Sequence, residues 1–132
     1  MTLRFLVDTH VAIRWVSGPK KLSREQTRVR DEAVKRREPV ALSAITLLEI
    51  AALSGSSRLR GSAVDILDVL NADPLFQVLP MTFEIATEVA LLGATLRDPA
   101  DRAIIATARI HRLKLLTSDE RIVESRLVPV VD

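Results

Sequence analysis

Five carboxylates in this 132-residue chain stand where chemistry could use them. Asp8 closes the first apolar run, Leu3 to Val7. Glu49 is the only charge in a segment reading Ala44-Ile45-Thr46-Leu47-Leu48 before it and Ile50-Ala51-Ala52-Leu53 after it. Asp98 and Asp101 lie three residues apart, on neighbouring faces of any helix that contains them. Asp119 follows the run Leu115-Leu116-Thr117. A lone carboxylate on an apolar helix is costly unless it is paired or holds a cation. Carboxylates gathered in one place repel one another, and a divalent cation relieves that repulsion. Oxygen-only ligands suit Mg²⁺ or Mn²⁺ rather than zinc. An ion held that way can activate a water and offset charge on a phosphate. Other chemistries are closed off by composition. Cys is absent, so thiolate zinc, iron–sulfur sites and disulfides are excluded, and with His only 2 an imidazole-rich metal site is not expected.

Each acid also has a plainer reading. Asp98 precedes Pro99, a preferred first helical residue, and so reads as an N-cap. Asp101 in the first turn, and Asp119 after Ser118, would complement a helix dipole. Asp8 could begin a turn, and Glu49 could pair with an Arg. What sets the group apart is where the elements put it.

Short apolar runs alternate with helical patterns along the whole chain. Leu3 to Val7 is β-compatible, and Val11, Ala12, Trp15 and Val16 then share one helical face until Gly18-Pro19. Ser23 with Gln26 three residues on is a capping-box signature for a charged helix running to about Arg37. Val40-Ala41-Leu42 reads as a buried strand, and Ser43 caps a helix from Ala44 to about Ser54. That helix is apolar almost all round, which predicts that it is largely buried. Gly55-Ser56-Ser57 breaks it, Arg58 to Gly61 is a basic loop, and Val64, Leu67 and Leu70 mark the inner face of the next helix. Phe76 to Leu79 is a third strand. Thr82 opens a helix with Ile85, Val89 and Leu92 inward. A helix from Ala100 to Arg112, the strand Leu115 to Thr117, a short helix from Asp119 and a last strand, Val128 to Val131, complete the order. The pattern predicts one α/β domain over residues 1–132, with a mainly parallel sheet and helices on both faces. In such sheets function collects at the carboxyl ends of the strands, and all these acids but Glu49 fall by sequence at strand ends or helix starts, where loops converge.

The overall composition supports a folded domain. It is 48% hydrophobic and 27% charged, which excludes a disordered or low-complexity chain. Aromatics are only 3%, which argues against a platform that stacks single-stranded bases. A net charge of +2 is too slight to prove a nucleic-acid partner. No apolar run approaches the roughly 20 residues of a membrane span, and Arg4 and Asp8 arrive too early for a signal peptide, so the expected location is the cytoplasm.

Four stretches together resemble the signature blocks of the PIN-domain family, most closely its VapC-type toxins. They are Leu6-Val7-Asp8-Thr9-His10, Ser43-Ala44 with Glu49-Ile50, Asp98 to Ala108, and Leu116-Thr117-Ser118-Asp119-Glu120. They occur in the family's order and span almost the whole chain. The resemblance implies a Mg²⁺-dependent endoribonuclease, with Mn²⁺ as substitute, that acts as a toxin, is usually dimeric and is held inactive by a cognate antitoxin. It implies Asp8, Glu49, Asp101 and Asp119 as the catalytic acids, with Asp98 as an extra one. Asp8, Asp98, Asp101 and Asp119 are the metal-ligand candidates, with Asp98 and Asp101 both open for the third position.

Around these, Thr117 and Ser118 are placed to orient Asp8 or Asp119, and His10 reads as a structural residue, a phosphate contact or an acid. The cations available to an RNA backbone are Arg14, Lys20, Lys21, Arg58, Arg60, Arg97 and Arg102, with Arg97 and Arg102 flanking the acidic block. Trp15 reads as core or dimer interface. Two alternatives remain at this level. One is an aspartate-based phosphatase or phosphotransfer domain using Asp8, although Asp8-Thr9-His10 lacks a second Asp two residues on. The other is a non-catalytic PIN-like module that only holds RNA or protein.

Overall fold

The computed structural model describes residues 2–56, 59 and 61–132. Five strands alternate with helices: β1 (Phe5–Val7), β2 (Val40–Ser43), β3 (Phe76–Leu79), β4 (Lys114–Leu116) and β5 (Val130–Val131). The helices are α1 (Thr9–Ser17), α2 (Arg24–Arg36), α3 (Ala44–Ala52), α4 (Ala63–Ala72), α5 (Phe83–Leu91), α6 (Pro99–His111) and α7 (Glu120–Ser125), with a 3₁₀ turn at Pro19–Lys21. All strand pairs are parallel, in the order β3-β2-β1-β4-β5. The chain therefore winds outward from β1 through β2 to β3, then returns to β1's other side for β4 and β5. The order reverses between β1 and β4, and at such a point a crevice opens outside the carboxyl ends of the strands.

Register and pleat explain the two cores. In the central strands Leu6, Ala41 and Leu115 face one side, while Val7, Leu42 and Leu116 face the other. The first set packs with Ile85 of α5, Ile104 and Ile105 of α6 and Ile122 of α7. The second packs with Val11 and Trp15 of α1, Ile50 of α3, and Ile66 and Leu70 of α4. Both faces are covered, as an all-parallel sheet requires. Trp15 is core: it meets Phe76 edge-on with ring centroids 5.6 Å apart, and the Arg30 guanidinium lies 5.9 Å from its ring.

The capping readings hold in detail. Gln26 N–H donates to Ser23 Oγ at 3.1 Å and Ser23 N–H donates to Gln26 Oε1 at 3.2 Å, closing the box. Ser43 and Thr82 cap α3 and α5. Four readings are corrected. β1 begins at Phe5 rather than Leu3, and β5 is confined to Val130–Val131. α3 is buried only along Thr46 and Ile50, with Leu48 65% exposed, because a nine-residue helix on one face of a sheet has one packed side. In α4 the inward residues are Ala63, Ile66 and Leu70, and Val64 points outward. The basic loop expected at Arg58 to Gly61 lies mostly outside the described residues. Among the described residues, no helix is long and apolar enough to cross a membrane.

Candidate active site

Asp8 follows β1 and caps α1. Its Oδ1 accepts the Thr9 N–H at 2.9 Å, and its Oδ2 accepts the Thr117 hydroxyl at 2.7 Å. It is almost wholly buried, as is Thr117. Thr117 stands at the end of β4 and its oxygen also accepts the Asp119 N–H at 3.1 Å. One hydroxyl thus ties the acid after β1 to the turn that carries the acid after β4. Asp119 then caps α7, its Oδ1 accepting the Arg121 N–H at 2.9 Å. The orienting role read for Thr117 is borne out in this geometry. Ser118 acts differently: its hydroxyl accepts from the buried Gln26 amide at 3.0 Å, and its N–H donates to His10 Nε2 at 2.9 Å.

Glu49 is brought to the same place by α3. Its Oε1 accepts the Thr9 hydroxyl at 2.6 Å, and Thr9 lies 3.0 Å from the Thr46 hydroxyl. Asp98 caps α6, with Oδ1 accepting the Asp101 N–H at 3.0 Å. All five acids line one cavity of about 710 Å³, together with His10, Arg14, Lys21 and Arg121. The cavity lies at the carboxyl ends of β1 and β4, where the strand order reverses.

The electrostatics follow from that crowding. Burial raises the pKa of Asp101, and the charges of Asp98, Asp8, Asp119 and Glu49 raise it further, to about 7. Glu49 is also raised, chiefly by burial and then by Asp8 and Asp98, against the lowering effect of its Thr9 hydrogen bond. The His10 pKa is lowered, mainly by burial. With Nε2 accepting from Ser118, His10 is a neutral imidazole whose Nδ1 lies 3.4 Å from Asp8 Oδ2. It is a strut between two loops, which is the structural reading of that residue.

A stability prediction follows. Between the unfolded value near 3.8 and the folded value of about 7, the folded protein holds a proton on Asp101 that the unfolded chain has lost. The contribution is therefore fully present below about pH 4 and disappears as pH rises toward 7. Glu49 acts in the same direction and His10 in the opposite one. In chelator, wild type should lose on the order of 1–2 kcal/mol relative to Asp101→Asn between pH 5 and pH 8, allowing for solvent screening. Parallel melting temperatures for the two proteins across that range would contradict it.

The cations divide sharply. Arg14 and Lys21 line the cavity, and Lys20 and Arg97 do not. Arg58 and Arg60 lie outside the described residues. Arg102 is a correction. Its guanidinium donates to the carbonyls of Gly93 at 2.5 Å, Leu96 at 2.6 Å and Val89 at 2.6 Å, so it closes off the end of α5 and does not line the cavity. Residues the sequence reading missed are Thr9, Thr46 and Arg121. Thr9 and Thr46 carried a signal: each is a hydroxyl in an apolar helix, beside Asp8 or one turn from Glu49.

The donor set is all oxygen, and a hard divalent cation would offset both the burial and the like charges that raise the Asp101 pKa. That fits Mg²⁺ or Mn²⁺. Among the described residues no three acids already form a ligand cage.

The PIN domain family model matches residues 5–126, a span that contains all five acids. The chain belongs to the PIN-domain family. It is 34% identical over 119 residues to ribonuclease VapC22 of Mycobacterium tuberculosis, covering 89% of this chain and 88% of that one. Among solved structures, FitAcB from Neisseria gonorrhoeae is 26% identical with a TM-score of 0.69, covering 97% of this chain and 96% of that one. DNA-bound VapBC from Salmonella typhimurium shares the fold, with a TM-score of 0.75 at 19% identity over 99% of this chain and 98% of that one. The four motif blocks thus identify a PIN domain of VapC type, and its all-parallel sheet sharpens the expected mainly parallel one. The aspartate-based phosphatase alternative finds no support in the family match.

Proposed function

We propose that residues 1–132 form a single PIN-like nuclease domain acting as a Mg²⁺-dependent endoribonuclease, with Mn²⁺ as substitute, and as the toxin of a toxin–antitoxin pair. The observation that carries the reading is the convergence of Asp8, Glu49, Asp98, Asp101 and Asp119 on one cavity in a PIN domain. The similarity to a named ribonuclease supports RNA as substrate. The catalytic set is Asp8, Glu49, Asp101 and Asp119. Asp8, Asp119 and one of Asp101 and Asp98 would hold the ion, which when bound supplies an activated water and charge relief at the phosphate. Thr9 and Thr117 fix both oxygens of Asp8. Glu49, anchored through Oε1, has a raised proton affinity and is suited to take the proton of the attacking water.

The partners in this reading are RNA, a cognate antitoxin and a second copy of the chain, in the cytoplasm. An antitoxin is suggested by the toxin–antitoxin complex from Klebsiella pneumoniae, 25% identical with a TM-score of 0.63. A homodimer has apolar surface to use: Phe83 is 95%, Leu91 73% and Leu48 65% exposed.

The purified protein should cut mixed RNA with Mg²⁺ or Mn²⁺, lose that activity in chelator and regain it when the ion is restored. Full activity in chelator would remove the metal mechanism, and intact RNA at saturating metal would favour the non-catalytic module. RNA affinity should also fall with salt. Three phosphate contacts, through Arg14, Lys21 and Arg121, predict a log–log slope of about −2 for single strands. A flat response would rule those contacts out.

A further inference from the structure

Arg121 stands in the first turn of α7 with its guanidinium between two of the site's acids. Its Nη2 lies 3.4 Å from Asp119 Oδ2 and 3.8 Å from Asp101 Oδ2. The side chain is 71% exposed, so it is held there by charge and not by packing. An exposed arginine is free to change partners at small cost, because a surface ion pair is screened by solvent and contributes little.

The charge balance of the cavity suggests when it would do so. Among the described residues five carboxylates face three cations, Arg14, Lys21 and Arg121, which leaves that set, fully ionised, two charges negative. Among the described residues neither Arg14 nor Lys21 has a carboxylate within ion-pair distance, so Arg121 is the cation engaged with the acids. One divalent ion on the acids would bring the site to neutrality and remove most of the attraction that holds Arg121. A phosphodiester then entering brings a new negative charge beside the same acids. A guanidinium can grip two phosphate oxygens at once.

Resting on the nuclease reading, we propose that Arg121 is a catalytic residue that exchanges partners. Without a divalent ion it bridges Asp101 and Asp119 as their counter-charge. With the ion in place it turns to the scissile phosphate and steadies the charge that builds there in the transition state. The two roles oppose each other in one measurable respect: the arginine competes with the ion for the acids, yet is required once the ion is bound. A residue that served only as counter-charge, or only as part of the fold, would not behave in this way.

The test compares wild type with Arg121→Gln and Arg121→Lys. Truncation of an exposed side chain leaves the α7 cap intact, because Asp119 accepts from the backbone N–H. Mn²⁺ affinity is read from the rise in melting temperature with added ion. Cleavage is read as kcat on a single-stranded RNA at saturating Mn²⁺ and saturating RNA. Arg121→Gln should bind Mn²⁺ about fivefold more tightly, the factor for losing an exposed ion pair. Its kcat should nonetheless fall about 100-fold, as when a transition-state donor is removed. Arg121→Lys should recover part of kcat. Tighter Mn²⁺ binding with unchanged or higher kcat would make Arg121 a counter-charge alone and overturn the exchange. Unchanged Mn²⁺ binding would overturn it too, since the bridge would then not compete. Wild type that binds Mn²⁺ yet cuts no RNA overturns the nuclease reading itself, and the exchange with it. That outcome appears in the control before any variant is compared.

Discussion

Asp8→Asn is expected to lower RNA cleavage by well over 100-fold while the protein stays folded. Loss of a supporting partner around a metal ligand costs about 10–100-fold, and Asp8 is proposed as a ligand. The sequence alone suggests that metal-free stability stays equal or rises, because one of several clustered charges is removed. The structure adds an opposing effect. Asn can still accept the Thr9 N–H, but its amide in place of Oδ2 offers the Thr117 hydroxyl no acceptor. Leaving a buried donor unmet costs about 1–3 kcal/mol. The two effects roughly cancel, so the expected melting temperature without metal is within several degrees of wild type. The variant should also gain less stability from Mg²⁺, because it lacks a ligand. Thr117→Val provides a second view of the same geometry. It removes both the donor to Asp8 and the acceptor for the Asp119 N–H, and should cost about 10–100-fold in cleavage. If Asp8→Asn cuts RNA at the wild-type rate, the proposed metal centre is wrong; if it unfolds, Asp8 is a structural residue.

Local signals in the sequence carried much of this site, and long-range ones did not. Asp98 before Pro99, and Ser23 three residues before Gln26, are capping signatures whose partners lie within one turn, so residue type and spacing predict them. The acids at strand ends are legible because an all-parallel α/β sheet brings the ends of β1 and β4 together whatever the side chains are. Arg102 shows where such reading stops. It flanks Asp101 in sequence, but its guanidinium turns to the carbonyls that end α5, up to 13 residues away. Gln26 does the same over a longer distance, since its amide reaches Ser118 across 92 positions. A buried polar side chain takes the partner that tertiary packing leaves it, and spacing cannot show which. Glu49 was legible as an anomaly for a reason that proved only partly right. Its helix is not buried all round, but its pKa is raised chiefly by burial and then by Asp8 and Asp98, which face it across the cavity.

Asp98 and Asp101 should separate cleanly under substitution. Asp98 holds the start of α6 by accepting the Asp101 N–H, so Asp98→Ala should cost about 0.5–2 kcal/mol of stability. It should retain a good part of the cleavage, because its Oδ1 already serves the helix. Asp101 has no capping duty of its own. Its side chain is only 14% exposed, and its nearest charged partner is Arg121 at 3.8 Å. Burial, and then the charges of Asp98, Asp8, Asp119 and Glu49, raise its pKa, so a cation beside it would offset that cost. Asp101→Asn should therefore leave stability at or above wild type in chelator at pH 8, where the wild-type carboxylate is ionised against its neighbours. Its cleavage should fall more than about 100-fold, the loss reached when a mere supporting partner is removed. Melting curves with and without Mg²⁺ decide between the two acids, since only loss of a true ligand erases the stabilisation that the ion brings. The reverse pattern, with Asp98 essential and Asp101 dispensable, would move the third acid of the site to the helix cap. Loss of activity in both variants, with the Mg²⁺-induced shift gone from both, would mean that the first turn of α6 presents both carboxylates to the same ion, as neighbours three residues apart can.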